Sequence, residues 1–323
     1  MFKYAIIGSG KQGTASAYDL IKFGNAEKVL LIDNDLKAAE KSAKKLNKLT
    51  NSKVCVPLKI NVKNKEEILQ NLTDIDSIIS GVPYYFNLEL TKIAIQVGAN
   101  FFDFGGNTDV VKSQLSLNNL AKEKNISVVP DCGMDPGMNI SFIQYLFDEY
   151  DELKTVKSYG AGLMQFPKAP WNYELSFHIN GLTNEYYGDA LFIRKGKVVE
   201  VPTLTDYEIL EFPKPLGKLE AVVTSGGLST LPYELEGKVE TLENKTLRYL
   251  GHWGKFKAFK ELGLFEETSI NVNGKDVVPR EVYHHLLTPK ITSGDNRDLG
   301  IIKILANGIK DGKEVKTTIE LID

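Results

Sequence analysis

The sequence is poor in cysteine, in arginine and in long apolar runs. Only Cys55 and Cys132 occur, in distant segments. That excludes a disulfide scaffold, and two reduced thiols fit a reducing compartment. No apolar run reaches the ~18 residues needed to cross a bilayer. The opening residues Tyr4-Ala5-Ile6-Ile7 already read as a buried strand, so no signal peptide is expected ahead of the fold, and the chain is expected in the cytoplasm. A formal net charge of −3 gives no pull toward nucleic acid or an anionic membrane. Metal ligands are sparse: His284 and His285 are adjacent and point in different directions, and neither HExxH nor CxxC occurs, so no metal site is expected. Nothing suggests a Ser-His-Asp nucleophile. The N-x-S/T triplets at Asn71, Asn139 and Asn244 read as chance sequons. Arginine is confined to Arg194, Arg248, Arg280 and Arg297 among 39 basic residues. Each is worth asking about, because only guanidinium offers a planar fork to a carboxylate.

What remains is ordinary for a two-domain globular chain of 323 residues, 42% apolar and 25% charged. The first 150 residues alternate short apolar runs with amphipathic stretches, the pattern of a doubly wound parallel α/β sheet. Strands are predicted at Tyr4–Ile7, Val29–Ile32, Val54–Leu58, Ser77–Ser80, Phe101–Phe104 and Ser127–Val129. Helices are predicted over Thr14–Phe23, Asp35–Leu49, Glu66–Leu72, Phe86–Val97 and Val110–Lys124. Asp35 is a plausible N-cap, and Gly24 and Gly98 sit where helices stop. From about residue 151 strand-like runs meet at tight turns instead, at Lys195-Gly196-Lys197, Asn273-Gly274 and Asp311-Gly312. Residues 151–323 are therefore expected to form an α+β domain with a mostly antiparallel or mixed sheet, with helices at Phe256–Leu262 and Arg280–Leu287.

Gly8-Ser9-Gly10-Lys11-Gln12-Gly13 is a full GxGxxG between a strand and a helix. The first glycine makes the turn, the second admits a pyrophosphate, and the third lets helix and strand pack closely. The helix N-terminus then presents N–H groups to the phosphates. This is the signature of a Rossmann-type domain. Asp33 ends the second strand 20 residues after Gly13. It either accepts hydrogen bonds from the adenosine ribose, which favours NAD over NADP, or caps the helix beginning near Asp35. Gly81-Val82-Pro83 ends the fourth strand, where the nicotinamide end is expected to run. Asn61 either touches adenine or is a loop residue.

Several stretches together resemble the saccharopine dehydrogenase superfamily, and within it the NAD-dependent lysine 6-dehydrogenase type. They are Gly8–Gly13, Pro83-Tyr84, DFGG at Asp103–Gly106 and VPDCGMDPGM at Val129–Met138. The second half adds Gly181–Tyr186, Ile193–Gly196, TSGG at Thr224–Gly227 and RYLGH at Arg248–His252. The resemblance implies oxidation of an amino-acid amine with NAD, lysine at its ε-carbon first, releasing ammonia and the semialdehyde. The alternatives are a saccharopine-type reductase and a catalytically weak NAD-binding member of the family. It also implies a homodimer through the second domain, and further helices beyond Asp323 that return to the first.

Such chemistry needs a proton acceptor near the amine and an anchor for the amino-acid head group. Arg248 is the choice for the anchor, against a surface ion pair. His252 either donates to the carboxylate or is packed and neutral. Asp135 is a candidate acid–base group or, with Pro136, an ordinary helix cap. The saccharopine-forming reductases resemble this sequence in having Asp there, whereas the lysine dehydrogenases commonly carry Ala. Tyr84 either hydrogen-bonds substrate or packs on the ring. Asp103 is either a base raised by desolvation or a cap. Trp171, Asn172 and Tyr173 either line the substrate pocket or serve a subunit interface. Ser225 and Gly226 either offer N–H groups to a carboxylate or form a turn.

Overall fold

Consecutive apolar residues in the opening strands point to opposite faces of one sheet, and both faces are covered. Ala5, Ile7, Leu30 and Ile32 enter one core, while Ile6, Val29 and Leu31 enter the other. That double burial explains why β1 (Phe2–Ile7) and β2 (Ala26–Asp33) read as unbroken apolar runs. The computed structural model describes residues 1–292 and 297–323. Its contacts divide the chain into two compact units, Met1–Gly133 and Met134–Asp323.

The first unit continues with α1 (Lys11–Phe23) between those strands, then α2 (Leu36–Thr50), β3 (Cys55–Lys59), α3 (Lys65–Asn71) and β4 (Ser77–Ser80). It closes with α4 (Asn87–Val97), β5 (Asn100–Asp103), α5 (Thr108–Leu115), α6 (Asn118–Glu123) and β6 (Val128–Val129). The six strands are all parallel, in the order β3-β2-β1-β4-β5-β6. The order reverses between β1 and β4, where such sheets bind ligands at the strand carboxyl ends. Asp35 caps α2 through the Lys37 amide, and Gly98 closes α4 at φ +77°. The single helix expected over Val110–Lys124 is two helices. At Leu117 the chain tightens to an i−3 bond on Gln114, which ends α5 and re-aims α6.

The second unit begins with α7 (Met138–Glu149), ahead of the boundary expected at residue 150. Ile143 and Leu146 of α7 share a core with Leu153, Val156, Ile302 and Ile304, which fixes this helix to the second sheet. There follow β7 (Glu152–Met164), α8 (Ile179–Glu185), β8 (Asp189–Arg194), β9 (Lys197–Pro202), β10 (Glu208–Glu211), β11 (Lys218–Val223), α9 (Leu231–Leu235) and β12 (Thr241–Tyr249). Then come α10 (His252–Glu261), β13 (Ile270–Val272), β14 (Lys275–Val277), α11 (Pro279–Leu287), β15 (Asp298–Lys310) and β16 (Lys313–Ile322). An eight-stranded mixed sheet has the path β10-β11-β12-β7-β15-β16, with β8 joining β12 to β9. The pair β12·β7 is parallel. All three glycine turns close hairpins, with Lys195, Asn273 and Asp311 at positive φ ahead of their glycines.

A close backbone-to-backbone joint of the first unit is at the nucleotide-type turn. A Cβ on Gly13 would fall on the Gly8 carbonyl oxygen, so only glycine lets α1 lie this close to β1. Gly13→Ala is expected to cost ~2 kcal/mol or more through overpacking, seen as a lower urea midpoint. An unchanged midpoint would refute the close approach.

Candidate functional site

Gly8 leaves β1 at φ +103°, and Gly10 sits at the N-cap of α1 with no side chain capping the helix. The leading N–H groups of α1 are thus open to an anion. A Cβ on Gly10 would meet nothing within 4 Å, so the space above it is free where the pyrophosphate would lie. Lys11 and Gln12 are exposed beside it, and Ser9 is buried. Asp33 turns toward this loop. Its Oδ2 accepts from the Ser9 amide and hydroxyl, both at 2.8 Å, and its Oδ1 accepts from the Asp35 amide at 3.0 Å. Burial pushes its carboxyl upward, but the bonds from Asp35 and Ser9 outweigh that and hold it below the ordinary carboxylate value. Asp35, not Asp33, is the helix cap. A carboxylate has about four acceptor sites, which leaves Oδ1 capacity for a sugar hydroxyl. These residues fit a dinucleotide.

Gly81, Val82 and Pro83 follow β4, and the Gly81 amide donates to Ile7 O at 2.7 Å. Tyr84 starts a 3-10 turn and packs on the DFGG loop, where a Cβ on Gly106 would crowd its ring. Asn61 Oδ1 accepts from the Lys63 amide at 3.0 Å, as a turn residue does. Cys132 is exposed, its Sγ 3.2 Å from Val129 O. Asp103 departs from the expected base. It has 0% exposure, and its carboxylate accepts from the Gly105 amide at 2.7 Å, Gln114 Nε2 at 2.7 Å and the Asp131 amide at 3.2 Å. Burial raises its pKa, against those three donors. With no surface to offer a substrate, Asp103 ties β5 to α5 and the loop after β6.

The second unit gathers the other candidates on one face of its sheet. Alternation along β12 puts Asn244, Thr246 and Arg248 on that face, and alternation along β7 adds Ser158, Gly160 and Gly162. Parallel register pairs Asn244 with Ser158 and Thr246 with Gly160. Asp135 lies on this floor, for a Cβ on Gly160 would fall on its Oδ2. Helix α7 starts only at Met138, behind Gly137 at φ +131°. Asp135 therefore does not cap the helix with Pro136 in its first turn. Instead its Oδ1 accepts from Asn139 Nδ2 at 2.6 Å and Asn244 Nδ2 at 2.7 Å. Burial lifts the carboxyl to about 7; Asn244 and Arg248 oppose the rise and Glu185 adds to it.

Arg248 is a buried strand arginine with 3% exposure, not a surface ion pair. Its Nε donates to the Tyr186 hydroxyl at 3.1 Å, its Nη1 donates to Leu247 O at 3.0 Å, and its Cζ lies 5.0 Å over the Tyr173 ring. Its Nη2 meets Glu185 Oε2 at 3.8 Å, longer than a hydrogen bond. Glu185 is 33% exposed, and burial raises it to about 7 against the pull of Arg248. His252 is corrected from substrate ligand to packed support. It has 0% exposure, stacks on Phe256 at 4.2 Å, and its Nε2 lies 3.1 Å from the Tyr186 hydroxyl. Burial and then Arg248 push its pKa well below the ordinary value, so the ring is neutral. Ser225 is also corrected: its amide donates to Glu185 O and its hydroxyl to Asn184 O, which ties the TSGG turn to α8. Gly226, at φ +90°, keeps open space around it. Trp171 and Asn172 are half-buried, Trp171 beside Phe259, and Tyr173 is buried.

The description saccharopine dehydrogenase NADP binding domain matches residues 4–129, and saccharopine dehydrogenase C-terminal domain matches residues 133–323. The chain belongs to the saccharopine dehydrogenase family. It is similar to saccharopine dehydrogenase [NADP(+), L-glutamate-forming] of Saccharomyces cerevisiae, 26% identical over 242 residues that cover 70% of this chain and 52% of that protein. The Pyricularia oryzae protein of the same name is 25% identical over 237 residues, covering 70% and 51%. The chain thus spans about half the length of the curated relatives it matches. A solved structure of apo histidine-tagged saccharopine dehydrogenase (L-Glu forming) from Saccharomyces cerevisiae superposes with a TM-score of 0.75 at 19% identity. The superposition covers 100% of this chain and 85% of that one, and it shows the shared fold.

In this family member, sequence reasoning passed over Asn139, Asn244, Glu185 and Tyr186. The first two looked like chance sequons, yet they are 0% and 1% exposed and both hold Asp135. The available signal was Gly160-Ala161-Gly162, a pair of glycines with strand period that bares one sheet face. Among the described residues no three metal-ligating side chains cluster, and no helix is long and apolar enough to cross a membrane. Asp103→Ala would leave three buried donors unpaired and is expected to cost ~2–5 kcal/mol of stability in urea unfolding. Lost turnover at unchanged stability would restore Asp103 as a reacting group.

Proposed function

We propose that the chain is a pyridine-nucleotide-dependent oxidoreductase acting on a carbon–nitrogen bond of a basic amino acid, with lysine at its ε-carbon the leading substrate and NAD the favoured nucleotide. The observation that carries this reading is the charge layout of the second unit. Around Arg248 the more accessible ionisable groups are Asp135 and Glu185, both with pKa about 7, and the Arg248 guanidinium is the more deeply buried. The other buried cations are engaged elsewhere, Lys245 on Asp206 and Glu208, Arg280 on Phe265, Asn184 and Glu267. A loose Glu185–Arg248 pair is complementary to an α-amino-acid head group, the ammonium going to Glu185 and the carboxylate to Arg248.

When bound, the nicotinamide supplies the hydride acceptor that turns an amine into an imine, which water opens to a semialdehyde and ammonia. Gly10 and the open start of α1 would hold the pyrophosphate, and Asp33 the adenosine sugar. Asp135 would take the proton that the reacting amine sheds, oriented for this by Asn139 and Asn244. A carboxyl near 7 is a better match to that task than an ordinary one. The second reading is saccharopine oxidation or formation. It is favoured by the relatives' names and by the resemblance of Asp135 to the reductases.

Amino acids screened with NAD and NADP should give lysine-dependent NADH formation. Asp135 accepts a proton only when ionised, so kcat/KM should fall as pH drops through about 7. Asp135→Asn should lose about 100-fold or more and flatten that limb. Turnover of saccharopine alone would move the assignment to the second reading, and turnover of neither would end both. Asp33→Ser removes the charge facing a 2′-phosphate. It should shift the KM ratio toward NADP by about tenfold, or ~1.4 kcal/mol. An unshifted ratio would show that Asp33 does not read the ribose.

A further inference from the structure

Some glycines here are demanded by the fold itself, because a Cβ would strike a neighbour or because φ is positive. Gly162 meets neither condition. It lies near the end of β7, its φ is not among the positive ones, it is exposed, and a Cβ built on it would meet nothing within 4 Å. Of the other described glycines with ordinary φ, Gly10 and Gly254 share that freedom. Gly10 opens the nucleotide turn, and Gly254 lies on an exposed turn of α10.

The neighbours of Gly162 on the same face are also bare. Gly300 of β15 pairs with it directly, and Gly160 stands two residues before it. Those two are covered, Gly160 by Asp135 and Gly300 by Met134, whose Sδ would sit 2.9 Å from a Cβ there. The Met134-Asp135 turn thus lies flat on two glycines, and the third is left open. A strand glycine weakens its strand and marks a close approach by backbone or ligand. Among the described residues no backbone comes within 4 Å of a Cβ placed on Gly162. Arg248 occupies the next position on this face of β12 after Thr246, the register partner of Gly160.

We propose that Gly162 is a specificity-determining residue, the floor against which the unbranched carbon chain of the amino-acid substrate lies, beside Asp135 and Arg248. The identity of the ligand rests on the function proposed above; the bare floor does not.

Gly162→Ala, Gly162→Val and Gly162→Leu in the full chain test this, with thermal midpoint, NADH affinity by fluorescence, lysine and saccharopine binding by calorimetry, and steady-state KM. The midpoint and NADH affinity should hold. KM and Kd for the amino acid should rise in the order Ala, Val, Leu, reaching at least about tenfold. Should leucine unfold the chain, the valine and alanine variants decide by the same graded rise. A folded leucine variant with unchanged KM and Kd overturns the floor while leaving the oxidoreductase reading intact. Wild-type protein that binds an amino acid without turnover overturns that reading, and weaker binding by the leucine variant would still support the floor. Wild-type protein that binds neither amino acid overturns the floor.

Discussion

Parallel pairing between β7 and β12 is the constraint on which the second-unit site rests. It aligns two strands that are far apart in sequence, so that Asn244 meets Ser158 and Thr246 meets Gly160 on a single face. A slip of one residue would turn Asn244, Thr246 and Arg248 to the opposite face, where Leu247, Leu219 and Ala221 form a core. Register is therefore strongly specified by apolar burial on the far side. The polar row inherits its positions from that packing. Asp135 can then lie directly on the sheet because Gly160 has no side chain, and Asn139 and Asn244 reach the same carboxylate oxygen from a helix and a strand.

Two carboxyl groups near one buried guanidinium are a costly arrangement, and the cost has a direction. Burial raises Asp135 and Glu185 to about 7, against the opposing charge of Arg248. A carboxyl whose folded pKa exceeds its unfolded value favours the native state fully below the unfolded pKa. That contribution is lost as pH rises through the folded pKa near 7. The native state therefore tolerates these groups best when protonated, the form that cannot accept a proton. Arg248 is in turn held by Tyr186: its Nε donates to the hydroxyl, whose own proton is free to meet the neutral His252 Nε2. The aromatic shell of Tyr173, Tyr186 and Trp253 around the guanidinium adds cation–π attraction and keeps it dry.

Local signals were legible wherever one short segment carries the whole physical cause. The GxGxxG turn, the Asp35 cap, the Gly98 stop and the three hairpins each depend on a few adjacent residues, and each stands where the sequence places it. Asp33 was legible by spacing alone, whereas its engagement with Ser9 is tertiary. What was not legible shares one origin. Asp103 and His252 each had two readings, and burial, which decides between them, is set by elements distant in sequence. Asn139 and Asn244 were read in their N-x-S/T triplets, although their partner is Asp135, 4 and 109 residues away. The contacts divide at Gly133 and not near 150, because α7, which looks like one more helix of the alternating half, turns its apolar face to β7 and β15.

Glycine is the residue through which sequence and site are most directly connected in both units. Gly8 and Gly13 are fixed by the backbone, through a positive φ and a collision with a carbonyl. A glycine that neither strain nor packing requires forfeits strand or helix stability, by roughly 0.5–1 kcal/mol relative to alanine, with no return inside the folded chain. Gly10 is an N-cap, where glycine is well tolerated, but Gly162, inside β7, is of that kind. One opens a helix whose first amides are uncapped, and the other lies beside a carboxylate held ready by two asparagines. Open space in both places adjoins groups able to bind a polar ligand, which leaves room for something outside the chain to come close.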